Sequence, residues 1–277
     1  MIPLIITARL QQGVVLDTRY GTALDGLLAS VIRDRAKAAA GVPGSLYDGG
    51  LATPTPATVE LPLAICPGQP LPDHEQTPAL NEADLIDPGP SHLPALLDDL
   101  DAVWGQWHWA ATTALPAQRD GDYDVHHIIT RVPERLAENH ATRLPATLSP
   151  SSGRFRMRRL PVPTTPTTHL TWRAVGDPDR IRDLLTDVTT IGGRRRTGEG
   201  TVLSWDVTPA QTPTTRDQWA HGHHHLDGTL GRPVPDHCLH RTTPIPSSVA
   251  GRVGIRPPYW HQATQHDLHL PAPLAEV

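Results

Sequence analysis

Arg194, Arg195 and Arg196 stand consecutively inside a run of glycines at positions 192, 193, 198 and 200. This is phosphate-binding chemistry. A guanidinium fork matches phosphate oxygens, and glycines leave backbone amides uncovered so that an anion can approach the chain. Arg154, Arg156, Arg158 and Arg159 form a second basic group, with 154, 156 and 158 on one face of a regular strand. Three arginines on one face are costly to bury, so that face is expected to meet solvent or phosphate. Tyr259 and Trp260, after a Pro-Pro pair, could stack on unpaired bases, with core packing as the competing expectation. Together these residues suggest a binder of a ribonucleic acid backbone. Glycines after helices are often only caps, and exposed arginines often only solubilise, so context has to decide.

Other side chains offer different chemistry. His221, His223, His224 and His225, followed by His237, Cys238 and His240, are ligand types suited to zinc. Their spacing matches no compact zinc module, so the expectation is a flexible histidine-rich loop with adventitious metal binding and no resident cofactor. His108, His126 and His127 are candidates for acid-base catalysis by residue type alone, and no catalytic residue is assigned because no orienting partner is evident. Cys66 and Cys238 make no CxxC pair and no disulfide framework, which makes a reducing compartment the default. Trp104, Trp107 and Trp109 are expected in the core or at a subunit contact.

Composition bounds these alternatives. The 277 residues can hold one large domain or two small ones, and 30 prolines with 22 glycines imply long irregular connections. A hydrophobic content of 38% is low, yet the apolar segments are periodic, so an ordered core is expected. The net charge of −5 argues against a nucleic-acid binder, but the distribution does not. Residues 131–200 carry 13 arginines and seven acidic residues, a net +6, which leaves −11 for the rest. A basic block of this kind can hold a polyanion while the acidic remainder faces solvent or a basic partner subunit. The opening MIPLIITARL has no basic start, and nowhere do 18 apolar residues run together, so a cytoplasmic chain without membrane contact is expected.

The elements that must position these groups follow from periodicity. Leu4, Ile6, Ala8 and Leu10 alternate as a first strand, and Leu24, Leu27, Leu28, Val31 and Ile32 repeat as a helix, with Thr22 and Asp25 as its capping box and Gly41 as its stop. Residues 42–90 read mostly as loop around the apolar run 59–66, and residues 123–131 have strand character. Residues 154–160 and 169–175 read as strands separated by PVPTTPTT. Residues 178–188 read as a helix capped by Asp177, whose apolar face continues to Ile191 before Gly192 and Gly193 end it. Thr201, Leu203, Trp205 and Val207 alternate as one face of a last strand. The fold class is α+β, a ferredoxin-like (RRM-like) βαββαβ module over residues 1–208 with an insertion at about 42–150 and an irregular C-terminal extension over 209–277 packed on it.

Five motifs in this order carry a resemblance: LDGLLA at 24–29, SGRFRMRRLPVP at 152–163, AVGD at 174–177, IGGRRRTGEGTVLSWDV at 191–207 and RPPYW at 256–260. The chain resembles the RAMP superfamily of CRISPR proteins, and within it the subunit of type IV effector complexes that holds the 5′ handle of the guide RNA. The resemblance implies a non-catalytic RNA-binding subunit that contacts the adjacent backbone subunit, with target DNA near the complex end. It places Gly192, Gly193, Gly198 and Gly200 in the family's glycine-rich loop and Arg194, Arg195 and Arg196 in its basic portion. Position 193 is often lysine in the family, so this glycine removes one phosphate contact that Arg195 or Arg196 could replace. Two alternatives stand beside this one: a RAMP-type endoribonuclease that processes the CRISPR repeat, and a protein–protein scaffold.

Overall fold

The computed structural model describes residues 1–16, 22–41, 59–66, 106–117, 124–130, 158–193, 198–211, 220–239 and 248–271. Strand β1 (Ile2–Leu10) lies in the main sheet, antiparallel to both β7 (His169–Gly176) and β8 (Val202–Pro209). A short strand β4 (Leu115–Pro116) extends the sheet along β7, giving the spatial order β4-β7-β1-β8. Three antiparallel ribbons accompany it: β2 (Ile65–Cys66) with β3 (His108–Trp109), β5 (Asp124–Thr130) with β6 (Arg158–Thr164), and β9 (Val249–Gly254) with β10 (Gln265–Leu270). The chain is thus mixed α/β, with antiparallel strand pairs in small sheets.

The expected alternation in β1 does what a half-buried strand requires. Leu4, Ile6, Ala8 and Leu10 are at most 2% exposed, and Ile6 faces Trp172 on one neighbour and Val207 on the other. Helices α1 (Leu24–Ala39) and α2 (Pro178–Leu185) add Leu24, Leu28, Val31, Ile181, Leu184 and Leu185 to the same core. Arg35 of α1 ties the pair together through Asp183 at 2.5 Å and Asp187 at 2.6 Å, contacts too exposed to add much stability. Among the described residues no helix is long and apolar enough to cross a membrane.

Four local expectations need correction. Helix α1 has Ala23 at its N-cap with no side-chain cap, because Asp25 is fully buried and turned to tertiary partners rather than to Thr22. Helix α2 has the expected Asp177 cap, which accepts from the amides of Asp179 and Arg180, but it stops at Leu185. Val188 and Ile191 still enter the core from a turn, and Gly192 lies beyond the helix end. Strand β8 changes phase where Arg9 pairs with Ser204 but Leu10 with Val202. This irregularity leaves Leu203 55% exposed and turns Val202 onto the core, so the regular alternation of 201, 203, 205 and 207 fails at its first half. Strand β6 (Arg158–Thr164) runs on through the segment PVPT, which the sequence reads as a connection. Pro161 and Pro163 are two residues apart on a strand whose partner is β5, so both ring nitrogens can point away from that partner.

Candidate nucleic-acid interface

The glycine-rich loop is stitched at its base. Gly193 donates its amide to the carbonyl of Val15 at 2.8 Å, Gly200 donates to Gly13 at 3.0 Å, and Ile191 donates to Gly200 at 2.9 Å. Gly192 has φ +80° and Gly200 has φ +68°, and a Cβ at Gly200 would lie 1.9 Å from the Ile191 carbonyl oxygen. These two positions are glycine because backbone meets backbone there. The amides of Gly193 and Gly200, expected to face an anion, instead bind segment 13–15 and close the loop's two ends against each other. Gly198, with φ +96°, lies in the turn that follows the arginines. Arg194, Arg195 and Arg196 lie outside the described residues, as do Arg154 and Arg156. Arg158 and Arg159 are exposed at the start of β6.

A pocket of about 570 Å³ opens beside this stitched base. Its walls include Gly26 and Ser30 of α1, Thr190 to Gly192 at the loop's entry, Arg252 of β9, and Tyr259. Two sequence-predicted site residues, Gly192 and Tyr259, therefore share one cavity although 67 positions separate them. Trp260 is 72% exposed. Tyr259 points its hydroxyl inward and donates to Oδ1 of Asp25.

That hydroxyl ends a buried network which sequence reasoning missed. Arg232, 2% exposed, donates to the carbonyls of Trp109, Ala111 (2.9 Å) and Ile255 (2.6 Å) and lies 3.7 Å from Oδ2 of Asp25. Burial pushes the Asp25 carboxyl above the usual carboxylate range against the pull of Arg232, and burial with the neighbouring carboxylate pushes the Tyr259 phenol well up. Arg256 lies 4.4 Å over the Trp107 ring and donates to the Trp107 carbonyl. The motifs LDGLLA and RPPYW thus meet in space, through Asp25 and Tyr259. Residue types gave no sign of it, because a lone aspartate in a helix's first turn ordinarily serves the helix end.

The described part of the histidine-rich segment, 220–239, is packed and not a flexible loop, and His240 lies outside the described residues. His221 is 1% exposed, with Nε2 2.7 Å from the Leu4 carbonyl and Nδ1 2.6 Å from the Arg173 guanidinium, and burial lowers its pKa to about 4. Arg173 also donates to the carbonyls of His224 and His225. His223 and Cys238 meet Cys66 and His108 in one buried cluster, whose four ligand atoms lie within 4.8 Å of one another. The Cys66 and Cys238 sulfurs are 3.2 Å apart as thiols, and His108 Nε2 is 2.9 Å from His223 Nε2 and 3.8 Å from Cys238 Sγ. The sequence names all four residues but separates them by 42, 115 and 15 positions, so only the fold joins them. Of the other acid-base candidates, His127 is exposed on β5 and the His126 side chain lies outside the described residues. Trp107 and Trp109 are core residues, packed edge to face at 5.4 Å, and Trp104 lies outside the described residues.

No curated protein is significantly similar to this chain. A chain of a solved structure titled "Type IV-B CRISPR Complex" is 18% identical, the match covering 79% of this chain and 97% of that one, with a TM-score of 0.28 that carries no structural argument. The family described as CRISPR type IV associated protein Csf3 matches residues 115–271, more than half of the sequence, and spans β4, β7, α2, the glycine-rich loop, β8 and the RPPYW segment. On that match the chain belongs to the Csf3 family of type IV CRISPR-associated proteins.

Proposed function

We propose that this protein is a non-catalytic RNA-binding subunit of a type IV CRISPR ribonucleoprotein, of the RAMP type, which caps the 5′ handle of the guide RNA and contacts the backbone subunit. It works in the cytoplasm and stands at the complex end near target DNA. The observation that carries the proposal is the pocket that brings the entry of the glycine-rich loop, Tyr259 and exposed Arg252 to one opening. A handle nucleotide seated there would lie at the entry of the glycine-rich loop, and the exposed Trp260, next in sequence to Tyr259, offers a surface on which a base can stack. Arg158 and Arg159 supply further exposed charge.

The order of elements supports the same proposal. With β4 as second strand and the β5-β6 ribbon as an insertion, the main sheet follows the chain as β1, α1, β4, β7, α2, β8, which is the βαββαβ sequence of a ferredoxin-like module. Membership of a CRISPR-associated family supports CRISPR RNA as the polyanion.

Copurification tests the assignment. The complete complex assembled with this subunit should protect the handle from nuclease, and a complex lacking it should not. Equal protection in both would refute the handle-cap role. Replacing His126 and His127 together by alanine should leave repeat processing unchanged, and abolished cleavage in a purified reaction would favour the ribonuclease alternative.

A further inference from the structure

We propose that Cys66, His108, His223 and Cys238 form a structural zinc site that fastens the segment 220–239 to the β2-β3 ribbon. Two thiolate sulfurs and two imidazole nitrogens are a donor set that tetrahedral zinc takes. Zinc–ligand bonds of about 2.0–2.3 Å give tetrahedron edges of roughly 3.3–3.8 Å. The four donor atoms lie within 4.8 Å of one another, with the imidazole nitrogens 2.9 Å apart, so shifts of about 1 Å bring all four onto one ion.

A hydrogen bond behind the ring sets the ligand atom. Nδ1 of His108 is 3.1 Å from the Gln106 carbonyl, which can only accept, so Nδ1 carries the proton and Nε2 turns its lone pair to the cluster. His223 points its Nε2 at the same place from the opposite segment. Without an ion the two Nε2 atoms, 2.9 Å apart, can share one hydrogen bond; with zinc bound, both would turn lone pairs to the metal. The charge also closes: zinc displaces two thiol protons to solvent, and Zn²⁺ with two thiolates and two neutral imidazoles is a neutral unit. A neutral unit can occupy a site where all four residues are buried, and four protein ligands leave no open position for catalysis.

The site would hold the molecule where covalent continuity does not. Cys66 and His108 lie on the two strands of one ribbon, and Cys238 lies in the short helix α3 (Asp236–Leu239), next to the segment that carries Arg232. Loss of the ion would loosen the Arg232 anchor and, through it, the wall of the pocket at Tyr259.

The full chain, purified without a histidine tag, should contain about one zinc per chain by elemental analysis and native mass spectrometry. Cobalt exchanged for the zinc should give the intense visible bands of a tetrahedral site with a thiolate-to-metal charge-transfer band. Cys66→Ser and Cys238→Ser should each abolish the stoichiometric zinc, whereas His224→Gln should retain it. Should the serine variants fail to fold, the cobalt spectrum of the unaltered chain still decides the ligand set. A chain that binds neither metal, a Cys66–Cys238 disulfide in place of metal, or zinc that survives both serine substitutions would overturn the site.

Discussion

Arginine serves opposite purposes in two regions of this molecule. Arg232 and Arg256 are buried, and their forks are spent on backbone carbonyls and on the Trp107 ring. Arg158, Arg159 and Arg252 are exposed and present their charge at the surface, Arg252 with the exposed Asp267 carboxylate 3.8 Å away. The comparison teaches that a basic count is not an inventory of phosphate contacts. Even within the basic block 131–200, Arg173 is held by His221 and two carbonyls, and Arg182 by Asp179 and the Val207 carbonyl. The buried arginines fasten the C-terminal segments to the rest of the chain, and the exposed ones carry the charge that the proposed interface needs.

This division can be broken at several points. The largest effect on stability is expected from Arg232→Met, which strands Asp25 in the core without its cation. The loss should be about 3–5 kcal/mol in a denaturant melt, and an unchanged midpoint would mean that Arg232 is no anchor. Gly200→Ala should follow, at roughly 3 kcal/mol, since a positive φ and an overlap with the Ile191 carbonyl both oppose it. Gly41→Ala is the control: its φ is +65° but nothing lies within 4 Å of the added carbon, so its cost should stay near 1–2 kcal/mol. A Gly200 variant no worse than the Gly41 variant would deny that the loop is stitched.

Neighbouring aromatics sharpen the contrast further. Tyr259→Phe should cost about 1–3 kcal/mol of stability, because Asp25 loses a buried donor. Trp260→Ala should change the melt by no more than about 0.5 kcal/mol yet weaken RNA binding by about 1–3 kcal/mol if a base stacks there. If Trp260→Ala instead unfolds the chain while RNA affinity per folded molecule is unaltered, the rim has been misplaced.

Legibility in the sequence divided along the same line. Strand β1, the α1 stop, the Asp177 cap and the limits of β7 were readable because each depends on residues within one turn or one strand of itself. The phase change at Leu203 was not, since it arises from how Leu10 and Val202 meet across strands. Neither was the far end of β6, where prolines that look like breakers sit at alternate positions and can turn their ring nitrogens away from β5. The glycine loop was found as a feature, but the use of the Gly193 and Gly200 amides depends on residues 13–15, far earlier in the chain. The four-residue cluster of Cys66, His108, His223 and Cys238 was invisible for the same reason, as spacing carries a metal site only when one short module supplies all its ligands.

The claim that the arginines of the glycine-rich loop bind RNA is tested most directly by guide-handle affinity over a range of salt concentrations for the triple variant Arg194→Ala, Arg195→Ala, Arg196→Ala, with a thermal melt beside it. The account predicts an unchanged melt, weaker binding, and a slope of log affinity against log salt that flattens by about 0.7 for each phosphate the variant no longer neutralises. An affinity and slope equal to those of the unaltered chain would contradict it.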